Sequence, residues 1–200
     1  MARRIPSLVK PLGMIEWESL ALGMKACDAV FKEAEVIPLV VRAVTPGRLV
    51  ALFTGEVTAV EFAISAGRTV GADCLYDEVF LPKPHEGIVP AVGARSSPRD
   101  IASVGIIETS SLCAALLAAD GAAKNGEIHL LEIRLGMGIG GKGLVVLTGE
   151  QSQVESALSC GQALAVSRGR HIRTVAIPNP DPRFAEFLVD PQNPFSEFLI

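Results

Sequence analysis

The fold is decided by GMIEWESLALGMKACDAVFKEAEV at residues 13–36, because this stretch returns at 105–128 as GIIETSSLCAALLAADGAAKNGEI. The two copies lie 92 positions apart in the chain. They share residues of every kind, apolar, small, acidic and basic, and the identical positions of the first copy are Gly13, Ile15, Glu16, Ser19, Leu20, Ala26, Asp28, Lys32 and Glu35. A match of this length indicates an internal duplication.

Two further blocks repeat in the same order. TGEVTAVEFAISAG at 54–67 returns as TGEQSQVESALSCG at 148–161, and VFLPKP at 79–84 returns as VAIPNP at 175–180. A period of roughly 93 residues is too long for a stacking repeat, so the repeated unit is a whole small domain. The Pro-, Gly- and Ser-rich segment between the copies is typical of a linker. We therefore predict a first domain with its linker over 1–95 and a second domain with a C-terminal tail over 96–200.

The unit itself reads as strand, helix, strand, strand, helix, strand. LGMIEW predicts a strand, and Ser19 is placed to cap a helix over 20–33. Two β-branched runs flank the turn Thr45-Pro46-Gly47-Arg48, and a second helix follows from Glu56 to Gly71 before the strand VFLP. The apolar faces expected of the two helices are Leu20, Met24, Cys27 and Phe31 in the first, and Val57, Val60, Ile64 and Gly67 in the second.

This βαββαβ order predicts an α+β fold of the ferredoxin-like type, with both helices on one face of an antiparallel sheet. The second copy repeats the order. The tail DPRFAEFLVDPQNPFSEFLI follows it, and we expect Phe184, Phe187 and Leu188 to form a short helix that covers the open sheet face. The alternative is a docking surface for cargo or for a neighbouring tile.

Composition excludes several classes of partner. Hydrophobic residues make up 49% of the chain, charged residues only 20%, and mean hydropathy is +0.39, which is apolar for two small domains and favours burial in an assembly. The net charge of −4 with scattered basic residues indicates neither nucleic-acid nor membrane-surface binding. No apolar run reaches the roughly 20 residues of a membrane helix, and no secretion signal is visible, so we expect a soluble cytoplasmic protein.

The order of motifs resembles the bacterial microcompartment shell-protein domain. These motifs are GMIExxSLxxGxxAxDAxxKxAxV, the Gly-containing turn, the TGE helix start and the closing PKPH. Two such domains in one chain resemble the tandem-domain, trimer-forming class, in its unpermuted single-layer type. The resemblance implies a homotrimer that forms a flat pseudohexamer. It also implies tiling with hexameric and pentameric shell proteins into a shell around enzymes, which are themselves candidate partners.

The resemblance assigns two groups of residues. Tile-edge contacts fall on Lys32 and Lys124, at the ends of the two first helices, and on the corner motifs, which contribute Lys83, His85 and Asn179. A pore on the three-fold axis falls on the turns between the second and third strands, which contribute Thr45, Pro46, Gly47 and Arg48 from the first copy and Met137, Gly138, Ile139 and Gly140 from the second. Both corner motifs lack the family's Arg, so we expect unequal edges.

Some relatives in this class carry at the position of Thr45 a Cys that binds an iron–sulfur cluster at the pore. Such clusters are held by cysteine thiolates, so Thr45 predicts an open small pore without a cofactor. The four cysteines, Cys27, Cys74, Cys113 and Cys160, have no CxxC spacing and are expected to be buried reduced thiols. A redox or metal-carrying shell protein that uses Cys74 stays open as an alternative.

No residue pattern indicates an enzyme. Gly136 to Lys142 fits the glycine and lysine spacing of a P-loop, but Gly143 and a strand follow instead of a Ser or Thr and a helix. Glu16 and Glu108 are single carboxylates without a matched base, and we interpret them as capping or inter-domain hydrogen-bond acceptors. A small-molecule-binding ferredoxin-like duplicate stays open as a third class. We predict no catalytic residues and no metal site.

Overall fold

The computed structural model describes residues 10–93, 101–136 and 138–189. The first domain contains β1 (Leu12–Trp17), α1 (Leu20–Glu33), β2 (Ile37–Val44), β3 (Arg48–Thr54), α2 (Val57–Val70), β4 (Leu75–Leu81) and α3 (Ile88–Gly93). The second contains β5 (Ser103–Thr109), α4 (Leu112–Asn125), β6 (Ile128–Leu135), β7 (Gly143–Gly149), α5 (Gln151–Ser167), β8 (His171–Pro178) and α6 (Pro182–Val189). The predicted boundary at residue 95 falls outside the described residues.

Each domain is built on one four-stranded antiparallel sheet. The strand orders are β2-β3-β1-β4 and β6-β7-β5-β8, so the first strand of each copy lies inside its sheet between the third and the fourth. The registers also correspond, since Gly13 faces Phe53 in the first sheet and Gly105 faces Leu147 in the second. The predicted α+β, ferredoxin-like duplicate is confirmed.

The first helix of each copy begins where the sequence predicts. The hydroxyl of Ser19 accepts a hydrogen bond from the Leu22 N–H at 3.3 Å, and the hydroxyl of Ser111 accepts one from the Ala114 N–H at 3.1 Å. Each bond satisfies an otherwise unpaired amide of the first helical turn. The length of α1 follows the prediction residue for residue.

The predicted apolar faces of the first domain's helices are wrong in part. Helix α1 turns Gly23, Ala26, Cys27 and Val30 toward its own sheet, whereas Leu20 and Met24, which we expected there, are exposed. In α2 the residues Val60, Ala63, Ile64 and Gly67 are buried, but Val57 is exposed. The reason is geometric, since small residues let each helix approach the sheet closely and the larger side chains then point away from it.

Helix α4 is enclosed on two sides. Its own sheet covers one side, and on the other it contacts β1 and β4 of the first domain. As a result ten of the fourteen residues of α4 are buried, including Leu112, Ala114, Leu116, Ala118 and Ala122. Its apolar cluster is continuous with the face of the first sheet that α1 and α2 leave open, formed by Leu12, Met14, Val50, Leu52, Val79 and Leu81. The second domain therefore covers the open face of the first.

The start of the tail is helical, as predicted, but it covers little. Leu188 of α6 packs against the open face of the second sheet, beside Val104 and Val146. Phe184 and Phe187 stay 39% and 41% exposed, so the expectation that they cover this face is wrong. No helix in the described part of the chain is long and apolar enough to cross a bilayer.

Candidate assembly surfaces

The contact between the two domains, here called the internal seam, is centred on Glu16 at the end of β1. This carboxylate is fully buried, and its Oε1 accepts hydrogen bonds from the Leu112 N–H at 2.6 Å, the Cys113 N–H at 2.9 Å and the Ser111 hydroxyl at 2.9 Å. A residue of one domain thus caps the first helix of the other, and its negative charge lies at the positive end of the helix dipole. The predicted role of Glu16 as an inter-domain acceptor is confirmed.

Two opposing influences act on this carboxyl group. Burial is the larger and raises the pKa of Glu16 above its ordinary value. The hydrogen bonds from Cys113 and Ser111 and the charge of Arg48 act in the opposite direction, because they favour the ionised form. The carboxylate is therefore held by its partners in a place that solvent does not reach.

A stack of three side chains closes one side of the internal seam. The guanidinium carbons of Arg48 and Arg170 lie 3.5 Å and 4.1 Å from the ring centroid of Tyr76. Arg48 also donates to Glu16 Oε2 at 3.4 Å and to the Ser110 carbonyl at 3.2 Å, and the Tyr76 hydroxyl donates to the same carbonyl at 3.1 Å. Residues from both domains contribute, so the stack fixes their relative position.

Asp77 on β4 is the second buried acid of the internal seam. It accepts hydrogen bonds from the Ser111 hydroxyl and from Arg168, and the Arg170 guanidinium lies 3.9 Å away. Arg168 and Arg170 reach further to the carbonyl oxygens of Glu78 and Tyr76. Sequence reasoning missed Tyr76, Asp77, Arg168 and Arg170 because none of them is repeated, and their roles depend on how the two domains meet.

The side chains of Glu16, Asp77 and Cys113 also approach one another closely enough to suggest a metal site. Their hydrogen bonds argue against it, because Oε1 of Glu16 already receives three donors from the capped helix. Burial raises the pKa of the Cys113 thiol well above its usual value, which disfavours the thiolate that a metal would need. The arrangement serves to cap α4.

The two turns predicted to line a pore contact each other. Gly47 has a positive φ of 120°, follows the cis peptide Thr45–Pro46, and donates to the Val44 carbonyl at 2.8 Å. In the second turn Gly141, at φ 75°, lies so close that an added Cβ atom would overlap the Thr45 carbonyl oxygen. Glycine is needed at this point for both its conformation and its size. Both turns therefore lie at the same end of the molecule.

The other predicted pore residues are distributed as follows. Pro46, Gly138, Ile139 and Gly140 belong to the two turns, and Met137 lies outside the described residues. Arg48 begins β3, and its side chain turns back into the internal seam. The assignment of the turns to a pore stays a prediction.

The predicted tile-edge lysines lie in the last turns of α1 and α4. Lys32 Nζ lies 2.6 Å from Asp28 Oδ2, and Lys124 Nζ lies 2.5 Å from Asp120 Oδ2. Asp120 also accepts a hydrogen bond from the His85 N–H at 2.7 Å, which ties the corner of the first domain to α4. The repeated Asp, four residues before each Lys, was the signal for these pairs in the sequence.

The corner residues differ in exposure. Lys83 and Asn179 are exposed, whereas His85 is half-buried, and its Nδ1 accepts a hydrogen bond from the Gly87 N–H at 3.1 Å. Three thiols, those of Cys27, Cys74 and Cys113, are buried, while Cys160 is half-buried. The expectation of buried thiols is confirmed for those three, and it is wrong for Cys160, whose Sγ lies beside Gly121 of α4 but stays partly accessible.

Comparison with known proteins identifies the repeated unit. The BMC domain matches the chain twice, over residues 11–84 and 103–180, which are the two units described above. The chain belongs to the BMC-domain family. The resemblance drawn from the repeated motifs is thus confirmed, and the two units are referred to below as the first and second BMC domains.

Relatives of both one and two domains are similar to this chain. The bacterial microcompartment shell protein PduT of Citrobacter freundii is 36% identical over 169 residues, which cover 84% of this chain and 92% of that protein. The carboxysome shell protein CsoS1 of Prochlorococcus marinus is 37% identical over 86 residues, or 41% of this chain and 82% of that protein. The first relative spans both BMC domains and the second corresponds to one.

Solved structures agree. A microcompartment protein from Desulfitobacterium hafniense is 40% identical, has a TM-score of 0.79, and is matched over 88% of this chain and 98% of its own. A fused permuted hexameric shell protein of the RMM microcompartment shares the fold at 20% identity and a TM-score of 0.59, over 78% of this chain and 83% of its own.

Surfaces that the internal seam buries in one BMC domain are exposed in the other. Leu116 of α4 is buried, but Met24 at the same position of α1 is 59% exposed. Val79 of β4 is buried, but its counterpart Val175 of β8 is 41% exposed. The outer face of α1 and the open face of the second sheet thus each lack, within the described residues, the partner that their copies have.

Proposed function

We propose that this chain is a structural shell protein of a bacterial microcompartment and has no catalytic role. Three copies form a closed ring of six BMC domains, a homotrimeric pseudohexameric tile. The tile lies in a compartment shell in the cytoplasm, beside hexameric and pentameric shell proteins, and encloses enzymes. The membership of the BMC-domain family and the likeness to shell proteins of one and two domains support this role.

The observation that carries the proposal is the complementarity of the two exposed surfaces. Within the chain, the open face of the first sheet packs on the outer face of α4. The exposed copies are the open face of the second sheet and the outer face of α1, which can pair in the same way only between two chains. Such a head-to-tail contact generates a ring when its rotation closes. Three chains give six repeats of one contact.

The acid of the second BMC domain supports the same contact. Glu108 corresponds to Glu16, and Lys142 corresponds to Arg48; Lys142 Nζ lies 2.7 Å from Glu108 Oε1. The second BMC domain thus repeats the ion pair of the internal seam, in which a carboxylate pairs with a cation at the start of the third strand. In the ring, Glu108 caps α1 of the next chain, where Ser19 corresponds to Ser111.

The contact between chains is weaker than the internal seam. Tyr76 and Asp77 correspond to Ile172 and Arg173, so the stack and the buried aspartate are not repeated. An interface with fewer desolvated charged pairs depends more on apolar packing. The two domains of one chain therefore stay together when trimers dissociate.

The ring brings the paired turns of each chain toward its axis. Thr45, Pro46 and Gly47 of the first domain, with Gly138, Ile139 and Gly140 of the second, then surround a small opening. Backbone amides of glycine-rich turns attract anions and polar solutes. Thr45 supplies a hydroxyl in place of a thiolate, so the opening passes small metabolites and holds no cluster.

Contacts between tiles use the other end of the first helices. Lys32 and Lys124 combine a long apolar stem with a charged head, which suits a shallow and reversible contact. Lys83, His85 and Asn179 contribute the corners. Since His85 is held by Asp120 and Asn179 is not, edges of the two kinds differ in rigidity.

The mass in solution tests the ring. Light scattering is expected to give about three times the chain mass of 21.0 kDa. Met24→Glu places a charge in the contact between chains and is expected to yield monomers with unchanged far-UV circular dichroism. Phe62→Glu is the matched control, because Phe62 is similarly exposed and its counterpart Ser156 is exposed too, so neither copy lies in a seam. A monomeric parent protein, or a Met24→Glu variant as trimeric as the control, contradicts the proposal.

A further inference from the structure

The two BMC domains carry opposite charges in the connection between the second helix and the last strand. In the second domain this connection contains Arg168, which donates a hydrogen bond to Asp77 across the internal seam, and Arg170, which lies 3.9 Å from the same carboxylate. In the first domain the connection is residues 71–74, Gly-Ala-Asp-Cys, and its charged residue is Asp73. The bases of one copy are therefore replaced by an acid in the other.

The two connections lie at corresponding places in the fold. The carbonyl of Cys74 accepts a hydrogen bond from the residue after β1 at 2.7 Å, and the carbonyl of Arg170 accepts one from the residue after β5 at 2.9 Å. Pairing Cys74 with Arg170 aligns Asp73 with Gly169, directly beside Arg168. Asp73 is exposed. The first domain thus has an accessible carboxylate where the second domain has its arginines.

The last strand changes sign in the opposite direction. Asp77 of β4 lies in register with Glu16, and Arg173 of β8 lies in register with Glu108. Asp77 is buried in the internal seam, whereas Arg173 is exposed. Within the described residues, neither Arg173 nor Asp73 forms an ion pair. Each of these two charges is therefore available to another chain.

The proposed ring brings the two free charges together. Inside the chain, β4 meets the connection before β8, so Asp77 meets Arg168. Between chains, β8 meets the connection before β4, so Arg173 meets Asp73 of the next chain. The long side chain and the short one have changed sides, which keeps their combined reach. Arginine and a carboxylate form strong, charge-assisted hydrogen bonds, so the exchanged pair can replace the original one.

A second pair of charges follows the same rule. In the internal seam, Arg48 donates to the Ser110 carbonyl at 3.2 Å. Lys142 corresponds to Arg48, and the exposed Glu18 corresponds to Ser110. Between chains, Lys142 therefore lies near an acid of the next chain in addition to its own Glu108. Cations of the second domain thus face acids of the first at two places in this contact.

We propose that the pair of Arg173 with Asp73 of the next chain, opposite in polarity to the pair of Asp77 with Arg168, selects which domain binds which. A first sheet placed on another first domain would set Asp77 against Asp73. A second sheet placed on another second domain would set Arg173 against Arg168. Like charges at an interface suppress such wrong pairings. The inference rests on the proposed ring and names the residues that fix the order of its domains.

Charge reversal in the full chain tests this selection. Trimers labelled at the N-terminus with a donor or an acceptor dye are mixed at low ionic strength, where charges are least screened, and energy transfer follows the exchange of chains. Arg173→Asp sets two acids against each other, and Asp73→Arg sets two bases against each other. Each single variant is expected to exchange at least roughly tenfold faster than the parent protein. The double variant restores the pair with reversed polarity and is expected to return close to the parent rate.

The design separates the ion pair from other effects of the substitutions. The single variants change the net charge in opposite directions, so net charge does not account for faster exchange in both. Both positions are exposed, so far-UV circular dichroism is expected to match the parent protein in all variants. Single variants that exchange like the parent, or a double variant as fast as the single ones, refute the selection and leave the ring intact. A monomeric parent protein overturns both proposals.

Discussion

Removing the carboxylate of Glu16 is expected to weaken the contact between the two BMC domains. In Glu16→Ala, two backbone amides of α4 and the Ser111 hydroxyl lose their acceptor, and Arg48 loses its counter-charge. Breaking a buried, hydrogen-bonded charge costs about 3–5 kcal/mol, a large fraction of the stability of any domain. We therefore expect the free energy of unfolding of the chain to fall by about that amount.

Glu16→Gln is the matched variant, and its expected loss is only about 1 kcal/mol. The amide keeps an acceptor oxygen for the helix, and it avoids the burial of a charge that raises the pKa of Glu16. Trp17 provides the assay, since it is the chain's only tryptophan, is fully buried and adjoins the substituted residue. Urea unfolding is followed by its fluorescence at one fixed chain concentration, because oligomerisation shifts apparent stability.

The pH dependence of stability provides a second comparison of the parent protein with Glu16→Gln. Because the folded-state pKa of Glu16 is raised above its unfolded value of about 4.5, folding takes up a proton between the two values. The parent protein should therefore gain stability relative to Glu16→Gln as the pH falls through the raised pKa, with the full gain below about 4.5. The reasoning is refuted if the Gln variant is as unstable as the Ala variant, or if the difference grows with rising pH.

Three further results are expected. Gly141→Ala should reduce the free energy of unfolding by about 2–3 kcal/mol and so lower the thermal midpoint, because the methyl group of the new alanine would overlap the first turn. Gly140→Ala, with φ 66° and no neighbouring atom, should cost about 1 kcal/mol, and equal losses would contradict the contact between the turns. Iodoacetamide at pH 8 should label Cys160 in the native protein and spare the three buried thiols, as read by peptide mass spectrometry. Lys32→Glu should abolish sheets in electron micrographs while light scattering still gives trimers, unlike the control Lys25→Glu.

The sequence predicts the order and bounds of the main elements because these depend on local signals. Ser19 and Ser111 cap their helices, and the strands follow from β-branched runs that are copied in the second domain. Even the role of Glu16 could be inferred, since a repeated single carboxylate at a strand end has few other uses. Duplication helped, because each signal was present twice.

What could not be predicted depends on how the domains meet. Leu20 and Met24 have helical spacing with Cys27, so periodicity alone could not show that they face away from their own sheet. The stack on Tyr76 joins residues distant in the chain, and no local pattern marks it. Helix α6 could be predicted as a helix, but the exposure of Phe184 and Phe187 could not.

The enclosure of α4 has a consequence for synthesis of the chain. The first BMC domain leaves the ribosome before α4 exists, with the apolar face of its sheet uncovered, and such surfaces promote aggregation. That face is covered only when the second domain has been made and folds against it. The two domains are therefore one folding unit, and a chain cut between them would yield a first half that is poorly soluble on its own. In the proposed ring, fusing the domains lets half of the contacts form within single chains, at any protein concentration.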